Sequence, residues 1–147
     1  MGRGVRARLG EGTRGILAVD TNYHERAKGE IPKPENMRRY LEVAERSGVF
    51  APGATDSLKG RSEVAVMWLE HLLLHSMLQH ESGEWTWGRH VVVHPAGNTD
   101  MADVCDRYRA LLADESTFAS VTLEELLDRV ALPAATVAAL RDRYVPG

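Results

Sequence analysis

Two polar side chains stand two positions apart in the stretch RGILAVDTNYHE, residues 14–25, whose first half is apolar. In a strand, Asp20 and Asn22 point to the same side, about 6.6 Å apart. A carboxylate in such a place can hold Mg²⁺, and the residue beside it can position or activate water for phosphodiester cleavage. Asp and Asn are equally common where a strand ends and a loop begins, and local chemistry alone favours that structural interpretation.

Four histidines offer a different kind of site. His71 and His75 are spaced i and i+4 on one predicted helix, and His90 and His94 lie on one face of a predicted strand. The first spacing can hold Zn²⁺, but zinc needs three or four converging ligands. The segment EHLLLH is not the metalloprotease H-E-x-x-H, and no cysteine pair accompanies it. We therefore expect these histidines to pack or to form hydrogen bonds inside the domain.

Three further side chains could be reactive or could bind a ligand. Cys105 lies in a predicted helix beside Val104 and Asp106 with no basic neighbour, so it is expected to be a buried structural thiol. Trp85 and Trp87 could stack on bases. Because each ring buries a large apolar area, they are expected instead to cover the core beside the most apolar helix.

The composition limits the class of protein. With 147 residues, 44% of them hydrophobic, the chain is long enough for one globular domain over residues 1–147. The net charge of −3 excludes a generally basic nucleic-acid binder, although residues 1–15 carry four arginines against Glu11 alone. A single cysteine suits a reducing compartment, and no signal peptide or membrane span is apparent. A cytoplasmic location is the default expectation.

The apolar periodicity predicts a mixed α/β domain. Residues 5–9 and 16–23 form a predicted β-hairpin through GEGTRG, and the second strand is expected to be covered on both faces. GEWTWG, residues 83–88, is a predicted turn before a strand over residues 89–94, and residues 50–62 are a predicted loop.

The helices carry clearer signals at their ends. One begins near Pro34 and ends at Gly48, and the buried central helix covers about residues 62–79. Another is capped by Asn98 or Thr99. Thr122 and Glu125 form a predicted capping box, and Pro133 opens a last helix over residues 133–145.

The polar-tipped strand and four later segments resemble a known family. GILAVDTNYHE resembles the G-ϕ-ϕ-ϕ-E-x-K-Y-x-E strand of PD-(D/E)XK nucleases, which have the restriction-endonuclease-like fold. The order and spacing of RYLEVAERSGVF, WLEHLLLHSML, VVVHPAGN and YRALLADESTFASVTLEELL are similar to one poorly characterised bacterial branch of that superfamily. The resemblance covers about residues 15–130. It implies an α/β protein that hydrolyses DNA, or less readily RNA, with Mg²⁺ as its cofactor.

The resemblance assigns roles residue by residue. Asp20 stands where the motif acid binds the metal, the backbone carbonyl of Thr21 would assist, and Asn22 replaces the motif lysine and would position water. An amide lacks the positive charge with which a lysine stabilises the developing phosphorane. Motif residues migrate within the superfamily, so Glu25 and Lys28 could compensate. Glu30 and Lys33 are further candidates.

The resemblance also implies that part of the site is missing. The family has an Asp on the preceding strand, whereas residues 1–10 contain no acidic residue. Glu11 lies in the predicted hairpin turn, and the strand from Gly15 to Asp20 already spans about 17 Å. The chain is therefore expected to lack the N-terminal helix and strand of the fold and to be weak or inactive as a nuclease. The alternative is a non-catalytic binding module on a degenerate nuclease fold. An unpaired strand edge would favour a homodimer or pairing with another chain.

Overall fold

Three parallel strands and six helices make up residues 14–22 and 31–145, the parts of the chain that the computed structural model describes. The strand order in the sheet is β1-β2-β3. The strands are β1 (Arg14–Thr21), β2 (Trp85–His94) and β3 (Phe118–Thr122). The helices are α1 (Pro34–Ser47), α2 (Ala54–Leu58), α3 (Ser62–Leu78), α4 (Thr99–Arg109), α5 (Leu123–Arg129) and α6 (Ala134–Tyr144). The mixed α/β prediction is confirmed, and the predicted strand over residues 5–9 lies outside the described residues.

The core lies between α3 and one face of the sheet. Helix α3 has the extent predicted for the buried central helix, and its Trp68 is fully buried. Because apolar residues occur all round α3, it can contact α1, α4 and the sheet at once. None of the described helices is long and apolar enough to cross a membrane. The largest buried side chains of this core are Trp68, Tyr108, Leu58, Leu72, Met67, Met101 and Phe118.

The outer face of β1 does not match its prediction. Ile16, Ala18 and Asp20 alternate with exposed residues, and Leu17 and Val19 are 62% and 53% exposed. The expectation that both faces of this strand are covered was therefore wrong, because α3 packs on one face only. In the described part of the chain, β1 pairs with β2 alone. Dimerisation through its other edge stays a prediction.

Two elements begin where the sequence predicted irregular structure. β2 starts at Trp85 rather than at residue 89, because Trp and Thr favour strands and Trp85 pairs with Arg14 of β1. The turn is confined to the residues before it, where Gly83 has a φ of 63°. β3 was not predicted at all, and the short helix α2 lies in the predicted loop.

Most helix ends agree with their signals. Gly48, with a φ of 67°, ends α1, and the Asn98 side chain accepts a hydrogen bond from the Met101 amide to cap α4. Thr122 and Glu125 form the predicted capping box of α5. Helix α6 begins directly after Pro133, as predicted.

Gly88 of β2 is a place where α3 packs tightly against the sheet. A Cβ at this position would lie 2.5 Å from Leu74 Cδ1 and 3.3 Å from the carbonyl oxygen of Ile16. Since Leu74 is only 1% exposed, it has no room to move away. We expect Gly88→Ala to lower the free energy of unfolding by about 1–3 kcal/mol through overpacking.

Urea denaturation of the Gly88 variant measures this effect. Gly97→Ala is the matched control, because a Cβ at Gly97 would meet no atom within 4 Å. Equal stability of the two variants would contradict close packing at Gly88.

Candidate functional site

Asp20 and Asn22 lie together on the half-buried face of the carboxyl end of β1, as their spacing predicted. The Asn22 Nδ2 atom donates a hydrogen bond of 2.8 Å to Asp20 Oδ2. The backbone nitrogen of Asn22 donates a hydrogen bond of 2.9 Å to the Val93 carbonyl oxygen, which fixes the backbone at this point. The residue in the place of the motif lysine therefore orients the carboxylate without bringing a positive charge to it.

A second carboxylate approaches from α3. Burial raises the pKa of Glu70, and the negative charge of Asp20 raises it further. Glu70 also contacts His90, which pairs in the sheet with Ala18, two residues before Asp20 on the same face of β1. The two carboxylates therefore lie on the same side of the sheet, where the charge of Asp20 disfavours ionisation of Glu70. Our sequence reasoning missed Glu70. The signal was present, because Glu70 is the only acidic residue of α3 after its first turn.

His90 of β2 holds Glu70 from the side of the sheet. Its Nε2 atom lies 3.1 Å from Glu70 Oε2, and the imidazole is fully buried. Burial lowers the pKa of His90 to about 4, against an opposing effect of the Asp20 charge. The ring is therefore neutral near pH 7, and its Nε2–H donates to the Glu70 carboxyl group. Within the described residues, the buried Nδ1 atom has no hydrogen-bond partner.

A buried hydrogen-bond network continues below this pair. His71 Nδ1 lies 2.9 Å from the Tyr108 hydroxyl, and His71 Nε2 lies 2.8 Å from Thr117 Oγ1. His75 Nε2 reaches the same Thr117 oxygen at 3.1 Å. Burial, followed by the charges of His75 and His90, lowers the pKa of His71 to about 3. The prediction that these histidines form hydrogen bonds inside the domain is confirmed.

The two carboxylates make Mg²⁺ the metal that the site could hold. Mg²⁺ is bound in proteins by one or two carboxylates, with waters and substrate phosphates completing its shell, and Asp20 and Glu70 fit that donor set. Over residues 14–22 and 31–145, no group of three or more His, Cys, Asp and Glu side chains could hold a metal ion by itself. The described histidines therefore do not form the three- or four-ligand cluster that zinc needs.

The other candidates fall into two groups. Glu25, Lys28 and Glu30 lie outside the described residues, so their predicted roles stay predictions. Lys33 is exposed directly before α1.

Cys105 and one of the tryptophans can be assigned structural positions. Cys105 is 1% exposed, and burial raises its pKa to about 11, as expected of a structural thiol. Trp87 is 43% exposed, and the position of a Cβ on Gly15 would lie 2.7 Å from its ring, so it packs on β1. The expectation that Trp87 covers the core beside α3 was wrong, because it lies on the opposite face of the sheet, which α3 does not cover.

A parallel sheet with a strand-end carboxylate facing a packed helix is consistent with the core of a nuclease-like α/β protein. A family model described as the PD-(D/E)XK nuclease superfamily matches residues 4–146, nearly the whole chain. The chain therefore belongs to the PD-(D/E)XK nuclease superfamily, which confirms the resemblance and extends it beyond residues 15–130. No curated protein and no solved structure was found to match it.

Proposed function

We propose that this chain is a slow, divalent-metal-dependent nuclease that cleaves DNA, with RNA as the less favoured substrate. The observation that carries the proposal is the convergence of Asp20 and Glu70. His90 hydrogen-bonds to Glu70 and pairs in the sheet with Ala18, two residues before Asp20, so both carboxylates lie on the same side of the sheet. The charge of Asp20 raises the pKa of Glu70, although burial of a second acid there opposes folding. Costly like-charge pairs of this kind are concentrated at functional sites.

Asp20 and Glu70 would hold Mg²⁺ in this proposal. Bound Mg²⁺ supplies positive charge to a phosphoryl oxygen and lowers the pKa of a bound water. Asn22 orients the Asp20 carboxylate through its hydrogen bond, and His90 does the same for Glu70. Glu70 thereby takes the place of the acid that the family has on the preceding strand.

The rate is expected to be low because of Asn22. A lysine at this position would stabilise the negative charge that develops on the phosphate, and a neutral amide stabilises it less. The proposed role of Asn22 in positioning water, and that of the Thr21 carbonyl, rest on the superfamily's motif. Glu25 and Lys28 are proposed as auxiliary residues on the same ground.

A non-catalytic binding module is the second candidate, and the same Asn22 favours it. If its amide only secures the Asp20 carboxylate, the fold could bind nucleic acid without cleaving it. The two functions differ in a single measurable property, which is turnover.

Cleavage of labelled single- and double-stranded DNA in Mg²⁺ or Mn²⁺ tests the proposal. We expect slow cleavage that EDTA stops and that Asp20→Ala reduces at least about a hundredfold. Asp103→Ala, which removes an exposed carboxylate of α4, is the matched control and should retain the rate. If the folded wild-type protein cleaves nothing with either metal, the nuclease proposal fails and the binding module remains.

A further inference from the structure

A cavity of about 410 Å³ opens at the carboxyl ends of β1 and β2. Its walls come from the ends of both strands and from helices α5 and α6. Val93, Leu140 and Tyr144 supply much of the apolar surface. The volume lies in the range of cavities that bind small molecules, and such cavities are mostly apolar with a few placed polar groups. The carboxyl ends of parallel strands are also where α/β proteins bind their ligands.

This cavity is linked to the proposed metal-binding residue Asp20 through the side chain of Asn22. Asn22 lines it, and the same side chain donates to Asp20 at 2.8 Å. A group that contacts Asn22 in the cavity would therefore be connected, through that side chain, to the carboxylate at which cleavage is proposed.

The polar lining favours a ligand that donates hydrogen bonds. His94 Nδ1 lies 3.0 Å from the Pro95 carbonyl oxygen, which can only accept, so Nδ1 carries the hydrogen. In the neutral ring, Nε2 is then an acceptor. The Asn22 side chain donates from Nδ2 to Asp20, so its carbonyl oxygen, Oδ1, is also an acceptor.

Aromatic and positive groups accompany these acceptors. The Tyr144 ring lines the cavity, and the Arg143 guanidinium lies 5.2 Å from the centre of that ring. Aromatic rings stack on bases of any sequence, and arginine adds attraction for phosphates nearby.

We infer that this cavity binds one unpaired nucleobase of the substrate, with an exocyclic amino group directed at His94 and Asn22. The inference deepens the proposed function, because nucleic acid as the ligand rests on it. The cavity would then place the phosphate next to that base beside Asp20 and Glu70. It predicts that adenine, cytosine or guanine is preferred at this position over thymine or uracil.

Fluorescence of a short single-stranded DNA with one 2-aminopurine base tests the site directly. The measurement is made in EDTA, so it reports binding and not cleavage. We expect the wild-type protein to bind it and Leu140→Trp, which fills the cavity, to bind at least tenfold more weakly. Ala139→Trp places the same ring on an exposed position of α6 and should bind within about twofold of wild type.

Competition by small molecules supplies a second readout that needs no variant. Adenosine 5′-monophosphate should displace the oligonucleotide at lower concentration than uridine 5′-monophosphate, and both should surpass ribose 5-phosphate. The inference is overturned if ribose 5-phosphate competes as well as the nucleotides, if the two tryptophan variants bind alike, or if the wild-type protein does not bind the oligonucleotide. Binding with this pattern but without cleavage in Mg²⁺ or Mn²⁺ would refute the nuclease proposal alone.

Discussion

Lowering the pH from 7 to 5 is expected to reduce the free energy of unfolding by about 4 kcal/mol, about 2 kcal/mol from each of His71 and His90. Burial lowers the pKa of His71 to about 3 and that of His90 to about 4. An unfolded histidine takes up its proton near pH 6.5. Between that value and the folded pKa, the unfolded chain binds more protons, so stability falls with pH.

Two other groups change how steeply the free energy of unfolding depends on pH. The pKa of His75 is also lowered, mainly by burial, so His75 adds to the loss. The raised pKa of Glu70 acts in the opposite direction, because the folded state then holds a proton that the unfolded state releases. The large pKa shifts of the two buried histidines have a greater effect on the free energy of unfolding than the shift of one partly exposed acid. The protein is therefore expected to lose stability as the pH falls.

Urea denaturation at pH 7, 6 and 5 in EDTA measures the slope. His90→Gln keeps an amide donor for Glu70 but removes one titrating ring, so its loss between pH 7 and 5 should be about 2 kcal/mol smaller. His80→Gln, the same substitution at an exposed histidine, is the matched control. Stability that does not vary between pH 7 and 5 would show that the histidines are not buried as neutral rings.

Glu70→Gln is expected to change stability and metal affinity in opposite directions. Burial and the Asp20 charge both disfavour the ionised Glu70 side chain, so an uncharged isostere should raise the free energy of unfolding at pH 7. The same change removes one of two proposed carboxylate ligands. We expect Mn²⁺ to bind at least about tenfold more weakly, since even residues that only support a ligand contribute 10–100-fold.

Calorimetric Mn²⁺ titration and urea denaturation of one protein sample give both values. Glu45→Gln, an exposed acid on α1, is the matched control and should change neither. A Glu70 variant that is more stable but binds Mn²⁺ as well as wild type would assign Glu70 a structural role. A less stable variant would mean that the hydrogen bond from His90 outweighs the repulsion by Asp20.

Features that depend on a few neighbouring residues were readable from the sequence. The capping box of Thr122 and Glu125, the end of α1 at Gly48 and the extent of α3 are set by interactions within one turn or one helix. The shared direction of Asp20 and Asn22 follows from the two-residue period of a strand.

Strand pairing was beyond the sequence because it depends on distant partners. β3 has five residues, and its hydrogen bonds to β2 stabilise a segment with little apolar pattern of its own. The exposure of Leu17 and Val19 likewise depends on which face of β1 the helix α3 covers.

The sequence by itself determined the superfamily, five of the six described helices and the metal-binding candidate Asp20. Only the tertiary structure placed Glu70 and His90 on the same side of the sheet as Asp20, and only it formed the cavity beside Asn22. The physical reason is that the local geometry of a helix or strand fixes the relative positions of residues that are two to four apart in the sequence. Contacts between a strand, a helix and a second strand depend instead on how α3 packs over the parallel sheet.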